Sequence, residues 1–382
     1  MRISELDARE DHDAIAARTL TDAWERQYGQ QFRVSFGRHG RGQQWRQQNL
    51  LSAWITSSAG PEVRRFLADS FRHTQVKHRQ VPQWLAGTAL ASRVGLAVTS
   101  RSVFTVDPAL PDTHNLLILP GNRRIRFFDF GSGKSRVALK DGFDDTAMST
   151  ELGVRGGGQV GPFPPILRSG SGWFEEDIID GLTLSRCPPR LDRATIDEVA
   201  LARLEAWGAR SAESVDTASY IDSQVEVVTA LAEGRLALPK NLAETVSAIQ
   251  SQTVIQDSHG DCQPGNIIIE QDGSNPLFID WEYHGRRSRH YDRVVFGTGL
   301  RWPANLSERL RKHDYYVAGA SSATLNDLPG GEARRALIVT ALLEDVVWRL
   351  KTWKSGPKAI LARGIPSEVG PVIQAIWGAF EH

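Results

Sequence analysis

Three oxygen-bearing side chains fall within one short stretch of this sequence: Asp261, Asn266 and Asp280. Asp261 and Asn266 stand five apart in His259-Gly260-Asp261-Cys262-Gln263-Pro264-Gly265-Asn266, where Pro264 and Gly265 break any regular element. Asn266 opens the β-branched run Ile267-Ile268-Ile269, which reads as a strand. The polar stretch from Gln271 to Asn275 reads as a turn, and Leu277-Phe278-Ile279 as the returning strand. A hairpin brings its two ends together, so Asp280 is expected beside Asn266 although it lies fourteen residues further on. That grouping suits phosphoryl transfer. A polyphosphate needs Mg2+, a hard ion that takes a few carboxylate or amide oxygens besides those of the substrate. A separate carboxylate must orient the attacking hydroxyl and accept its proton. Asn266 and Asp280 fit the metal role, and Asp261 fits the base.

The block His259-Gly260-Asp261-x-x-x-x-Asn266, followed by Ile279-Asp280-Trp281-Glu282, resembles the signature of the aminoglycoside phosphotransferase and choline kinase-like family. These are small-molecule relatives of protein kinases. Tyr291-Asp292 resembles the family's structural aspartate segment, although Arg293-Val294 follows it here. The resemblance implies an α+β, bilobal protein kinase-like fold with a small antiparallel-sheet N-lobe and a mostly helical C-lobe. It also implies ATP and Mg2+ as the reaction's companions.

The elements that must position these residues are readable upstream. Leu116 to Leu119, Ile125 to Phe130 and Arg136 to Lys140 form a three-strand meander. It resembles the start of a kinase N-lobe, whose third strand carries V-A-[IL]-K, so Val137-Ala138-Leu139-Lys140 implies Lys140 as the phosphate-holding lysine. Phe143 to Val154 is predicted helical, and Glu151 on it is the candidate partner of Lys140. Trp173 to Leu184 resembles the interlobe hinge, which implies that backbone groups of Glu176, Asp177 and Ile178 meet the adenine edge. Gly131-Ser132-Gly133-Lys134-Ser135 ends like a phosphate-binding P-loop. The first glycine of that motif would be Phe128, and a strand rather than a helix follows, so that reading fails.

Helices are predicted over Asp192 to Ala209, Asn241 to Ser251, Ser307 to Tyr316, Glu332 to Trp353 and Pro366 to Phe380. Asn241 with Glu244 reads as a capping box, and Gly234 as a helix stop. Residues 1–110 read as a mostly helical N-terminal extension, with helices over Asp11 to Tyr28, Gly60 to Phe71 and Pro82 to Val94, and Gly37, Gly40 and Gly42 as a turn. The expected domains are this extension, an N-lobe over 111–184 and a C-lobe over 185–382.

Hydrophobic residues make up 41% and charged residues 24% of the 382, the balance of a globular chain. The sequence has no apolar run long enough to span a bilayer and no signal-peptide core near Met1, so a cytoplasmic location is expected. Two cysteines, Cys187 and Cys262, cannot build a disulfide framework or a zinc site. Between Arg26 and Arg101 twelve Lys or Arg face only Glu62 and Asp69, which raises either an anionic surface or polymer as partner or a solvated helical face.

These features point to an ATP-dependent phosphotransferase acting on a hydroxyl of a small molecule or glycan. From Glu282 onward fifteen Lys or Arg stand against ten Asp or Glu, which counts against a polycationic acceptor. A binding module of the same fold without turnover is one alternative. A metal-dependent phosphoesterase is a second, but Ile267 follows Asn266 where such an enzyme would carry histidine.

Overall fold

The computed structural model describes residues 11–379 except 38–40, 49–50, 73–77, 79, 122, 157, 189, 313–327 and 355–363. Gly40, residues 313–316 of the predicted 307–316 helix, and Phe380 lie outside the described residues. The chain forms two compact units, Met1–Leu191 with Ile268–Asn275, and Asp192–Ile267 with Pro276–His382. The expected boundary near residue 110 falls inside the first.

The first unit is built on one sheet. Helix α1 (His12–Tyr28) starts at Asp11, whose carboxylate accepts from the Ala14 amide, and stops at Gly29 in the left-handed conformation. Strands β1 (Arg33–Phe36), β2 (Gln43–Gln48) and β3 (Ala53–Thr56) follow, then helices α2 (Pro61–Arg72), α3 (Gln80–Leu90) and α4 (Arg93–Thr99). Strands β4 (Ser100–Asp107), β5 (Leu116–Pro120), β6 (Arg124–Asp129) and β7 (Lys134–Leu139) lead to helix α5 (Thr146–Arg155). Strands β8 (Ile166–Gly170) and β9 (Trp173–Asp177) complete an antiparallel sheet of order β1-β4-β2-β3-β5-β6-β7-β9-β8.

The meander and its following helix therefore form as predicted, and the first 110 residues add four strands to their predicted helices. Gln43-Gln44-Trp45-Arg46-Gln47-Gln48 contains no β-branched residue, so composition does not mark it as a strand. Pairing on both sides, with β3 and β4, decides its state.

Successive strand residues point to opposite faces, and the core follows that alternation. Ala16, Leu20 and Trp24 of α1 pack with Trp45, Phe104, Ile118 and Ile125. Val63, Leu67 and Ala68 of α2 pack with Ala53, Ile55 and Leu117. Met148 of α5 joins Val137 and Phe174. The short strand β10 (Leu182–Thr183) pairs with Ile269 and Ile268. A Cβ at Gly181 would lie 2.4 Å from the Ile269 carbonyl oxygen, so glycine permits that approach.

The second unit is mostly helical. Asp192 caps helix α6 (Arg193–Gly208), and Asp216 caps α7 (Thr217–Ala232). Helix α8 (Leu242–Ile249) begins after Asn241, whose side chain makes no capping bond, so the predicted capping box does not form. Strand β12 (Gln252–Ser258) lies between β11 (Glu213–Asp216) and β15 (Gly285–Ser288) in a three-stranded antiparallel sheet. The ribbon strands β13 (Ile267–Ile269) and β14 (Leu277–Phe278) lie in sequence between β12 and β15. Helices α9 (Tyr291–Thr298), α10 (Leu306–Lys312), α11 (Gly331–Lys354) and α12 (Val369–Gly378) follow. The core joins α7, α8 and α9 to the apolar side of α11, including Ile338, Leu342, Val346 and Leu350.

Candidate active site

The loop from His259 to Asn266 continues directly from β12, and its shape is fixed by hydrogen bonds within the second unit. Asp292, at the start of α9, accepts from the His259 amide at 2.7 Å and from the Gly260 amide at 3.0 Å. One carboxylate thus accepts from two buried loop amides, the second of which also donates to Ser258 Oγ at 3.2 Å. Gly260 adopts φ +84°, and a Cβ there would lie 2.0 Å from the Tyr283 carbonyl oxygen. Only glycine fits.

His259 is fully buried and is a link in this frame. The Asp261 amide donates to its Nδ1 at 3.2 Å, so Nδ1 carries no proton and Nε2–H donates to the Ile279 carbonyl at 2.9 Å. The Ile279 amide in turn donates to the Asn266 carbonyl at 2.9 Å. Ile279 is therefore clamped from both sides, and Asp280 follows one residue later. Asp280 sits at φ 70°, ψ 56°, the left-handed region that aspartate tolerates better than most residues.

The loop side chains converge on Asp261. Asn266 Nδ2 donates to Asp261 Oδ2 at 2.8 Å and to the Asp261 carbonyl at 3.0 Å. Gln263 Nε2 donates to Oδ2 at 3.0 Å. The other oxygen, Oδ1, lies 2.7 Å from Arg301 Nε. Because the Asn266 amide nitrogen is spent on Asp261, its Oδ1 is the atom able to meet a cation. Cys262 beside them is buried, and burial pushes its thiol well up, leaving a packed and unreactive side chain.

Sequence spacing reveals neither Arg301 nor the arginines of the first unit. Arg301 follows α9 and stands forty positions beyond Asp261. In the first unit Glu151 is fully buried and takes ion pairs from Arg124 and Arg155, while Arg155 also pairs with Glu176. Burial opposes ionisation of Glu151, but the two arginines outweigh it and bring its pKa down to about 2. Glu176 also accepts from Arg126 at 2.5 Å. Asp177 pairs with Lys134 at 2.5 Å, which gives that turn lysine an ion pair in place of a phosphate. Ile178 donates its amide to the Gly133 carbonyl at 2.9 Å, so that donor is already used within the sheet. Lys140 is buried at the end of β7, with Nζ 5.9 Å from the Phe143 ring centroid.

The departure at Arg293 has a structural account. Its guanidinium, 2% exposed, pairs with Glu198 and Glu205 and ties α9 to α6. Burial opposes the Glu205 charge, and His290 and Arg293 overcome it, holding Glu205 at about 2. Three arginines of the basic segment bond to nearby groups. Arg64 donates to Ala59 and Ala91 carbonyls, Arg65 pairs with Glu62, and Arg46 donates to the Ala97 and Ser100 carbonyls.

A unit built on an antiparallel sheet and a mostly helical unit carrying the His259–Asn266 loop make this an α+β chain. Residues 171–325 match the phosphotransferase enzyme family, a span that contains Asp261, Asn266 and Asp280. No curated protein matches the chain. Among solved structures it is similar to a choline/ethanolamine kinase family protein from Mesorhizobium loti, at 16% identity over 70% of this chain and 88% of that one, with TM-score 0.38. It is also similar to aminoglycoside phosphotransferase APH(4)-Ia, at 15% identity over 69% and 93%, with TM-score 0.42. A third similar structure is a ternary complex of APH(2'')-IIa with streptomycin and ATP, at 14% identity over 69% and 93%, with TM-score 0.39. Among the described residues no helix is long and apolar enough to cross a membrane.

Proposed function

We propose that this chain is an ATP-dependent phosphotransferase that moves the γ-phosphoryl group onto a hydroxyl of a small molecule or glycan. The observation that supports this reading is the bonding of Asp261 to Asn266 within one loop, with Ile279, the residue before Asp280, bonded to the Asn266 backbone. Asn266 holds Asp261 at 2.8 Å, and Ile279, bonded to the Asn266 backbone at 2.9 Å, immediately precedes Asp280 in the chain.

In the proposed reaction Asp261 orients the acceptor hydroxyl and takes its proton. The new acceptor-oxygen–phosphorus bond forms as the bond from phosphorus to the bridging β-phosphate oxygen breaks, and ADP departs with that electron pair. Asn266 Oδ1 and the Asp280 carboxylate are hard oxygen donors of the kind Mg2+ accepts alongside phosphate oxygens. Bound there, the ion would supply charge neutralisation for the polyphosphate. In the first unit Lys140 is assigned to the α- and β-phosphate oxygens. Glu151 serves as an anchor for Arg124 and Arg155, which keeps α5 in place. Positioning and charge neutralisation carry most of the catalysis, since phosphoryl transfer asks for little covalent chemistry from the protein.

The test is an acceptor panel of aminoglycosides, amino alcohols, neutral hexoses and N-acetylhexosamines with γ-labelled ATP. Label transfer to at least one acceptor is expected, together with loss of transfer in Asp261→Asn and Asp280→Asn proteins that melt like the parent. Full transfer by the Asp261→Asn protein would remove that residue from the mechanism. Phosphate release from a monoester without any nucleotide would favour an esterase instead.

A further inference from the structure

The base assigned above does not stand alone. Arg301 is almost entirely buried, and every face of its guanidinium is occupied by groups of the same unit. Nε lies 2.7 Å from Asp261 Oδ1, and Nη1 donates to Asp345 Oδ1 at 2.5 Å. Nη2 donates to the Gly260 carbonyl and, at 3.1 Å, to the Tyr291 hydroxyl. Its carbon centre sits 3.9 Å from the Trp348 ring centroid, a stacked cation–π contact. Asp345 is itself fully buried and held on its other oxygen by Arg349 Nε at 2.6 Å. Arg349 is pinned to the Leu300 carbonyl at 2.9 Å.

Two arginines thus alternate with two aspartates in the order Arg349, Asp345, Arg301, Asp261. The chain runs from the core helix α11 to the loop carboxylate. Asp261 Oδ2 is fixed by Gln263 and Asn266 from within the loop, and Oδ1 faces the Arg301 guanidinium in an ion pair whose Nε makes no hydrogen bond. With Oδ2 hydrogen-bonded and Oδ1 facing a buried cation, the carboxylate has a preferred orientation.

We propose that Arg301 is a positioning residue for phosphoryl transfer, setting the direction in which the Asp261 carboxylate meets the acceptor hydroxyl. The inference rests on the assignment of Asp261 as the base. Lysine at this position would keep a positive charge but not the planar fork that reaches Asp261, Asp345, Gly260 and Tyr291 together. A cation seated on the base also disfavours an acceptor that presents an ammonium next to its reacting hydroxyl, so neutral or anionic acceptors are the favoured class.

Three variants of the full chain test this: Arg301→Lys, Arg301→Gly and Asp261→Asn. The readouts are melting temperature, ADP release from MgATP with water as acceptor, and transfer to whichever panel acceptor turns over. For Arg301→Lys we expect kcat to fall by on the order of 100-fold, the scale of a catalytic group displaced by about an ångström. Its KM for ATP should stay within about twofold of the parent. Added guanidinium chloride should restore part of the Arg301→Gly rate and none of the Asp261→Asn rate. An Arg301→Lys protein with parental kcat, assayed below its melting temperature, overturns the inference when Asp261→Asn is inactive. Should Arg301→Gly fail to fold, the Lys variant alone decides. Parental turnover by Asp261→Asn would instead sink the base assignment, so the two failures are distinguishable.

Discussion

Asp280 shows how much one residue's backbone constrains what can be learned from replacing it. Its left-handed conformation suits Asp and Asn, whose short polar side chains tolerate φ > 0, and penalises alanine by about 1 kcal/mol or more. Asp280→Asn should therefore keep the fold and lose the negative charge. Asp280→Ala should lose both charge and some stability. Equal melting temperatures for the parent and the Asn variant, a lower one for the Ala variant, and absent phosphotransfer in both would separate the chemical role from the conformational one. If the Asn variant transfers phosphate at the parental rate, Asp280 has no part in holding the metal.

At the scale of elements, two buried carboxylates tie neighbouring pieces together. Asp292 carries the start of α9 to the His259 and Gly260 amides. Asp292→Ala strands the buried His259 amide, at about 1–3 kcal/mol, leaves the Gly260 amide to Ser258 Oγ, and frees the loop that holds Asp261. Chemical denaturation should show a loss of roughly 1–3 kcal/mol, and turnover should fall even in protein that remains folded. Unchanged stability would mean that solvent or a neighbour satisfies the His259 amide.

Glu151 does the same for α5 and β6 through Arg124 and Arg155. Its pKa is depressed from the ordinary 4.5 to about 2, so the native state binds fewer protons than the unfolded chain in that range. The stabilisation it supplies is complete above about pH 4.5 and is lost as pH falls towards 2. Glu205, held at about 2 beside His290 and Arg293, adds a second contribution of the same sign. Glu151→Gln leaves Arg155 buried with Glu176 as its remaining acidic partner and should cost roughly 3–5 kcal/mol. The gap between parent and variant melting temperatures should be constant from pH 7 to about 4.5 and narrow from there to pH 3. Parallel curves across that range would show that Glu151 is not ionised in the native state.

At the scale of the whole molecule, residues before 111 are part of the sheet and not an appendage. Trp54 of β3 pairs with Ile118, and α1 covers Ile118, Ile125 and Phe127. A chain starting at residue 111 would open the edge of β5 and expose that apolar face, conditions that favour association between chains. Size-exclusion chromatography of the truncated protein should give aggregate. A monodisperse product with a cooperative melt would show that 111–382 folds without the extension.

How much of this was legible beforehand depended on sequence distance. The loop and ribbon occupy 24 consecutive residues from His259 to Glu282, and the bonds among His259, Asp261, Asn266 and Ile279 are short-range consequences of Gly260, Pro264 and the Ile run. The meander's strands were readable as apolar runs, and the role given to Lys140 came from the resemblance of Val137-Ala138-Leu139-Lys140 to V-A-[IL]-K. Strand β2 did not, because its glutamines carry no strand propensity and only its neighbours make it one.

The sequence alone determined which donors and acceptors share the loop from His259 to Asn266, since those are set by residue type on one continuous stretch. The tertiary structure decided which charges meet. Arg301 reaches Asp261, Arg124 and Arg155 take Glu151, and Arg293 takes Glu205, across separations from 4 to 88 positions. A buried arginine must find an anion wherever packing brings one, and no spacing rule foretells where that is.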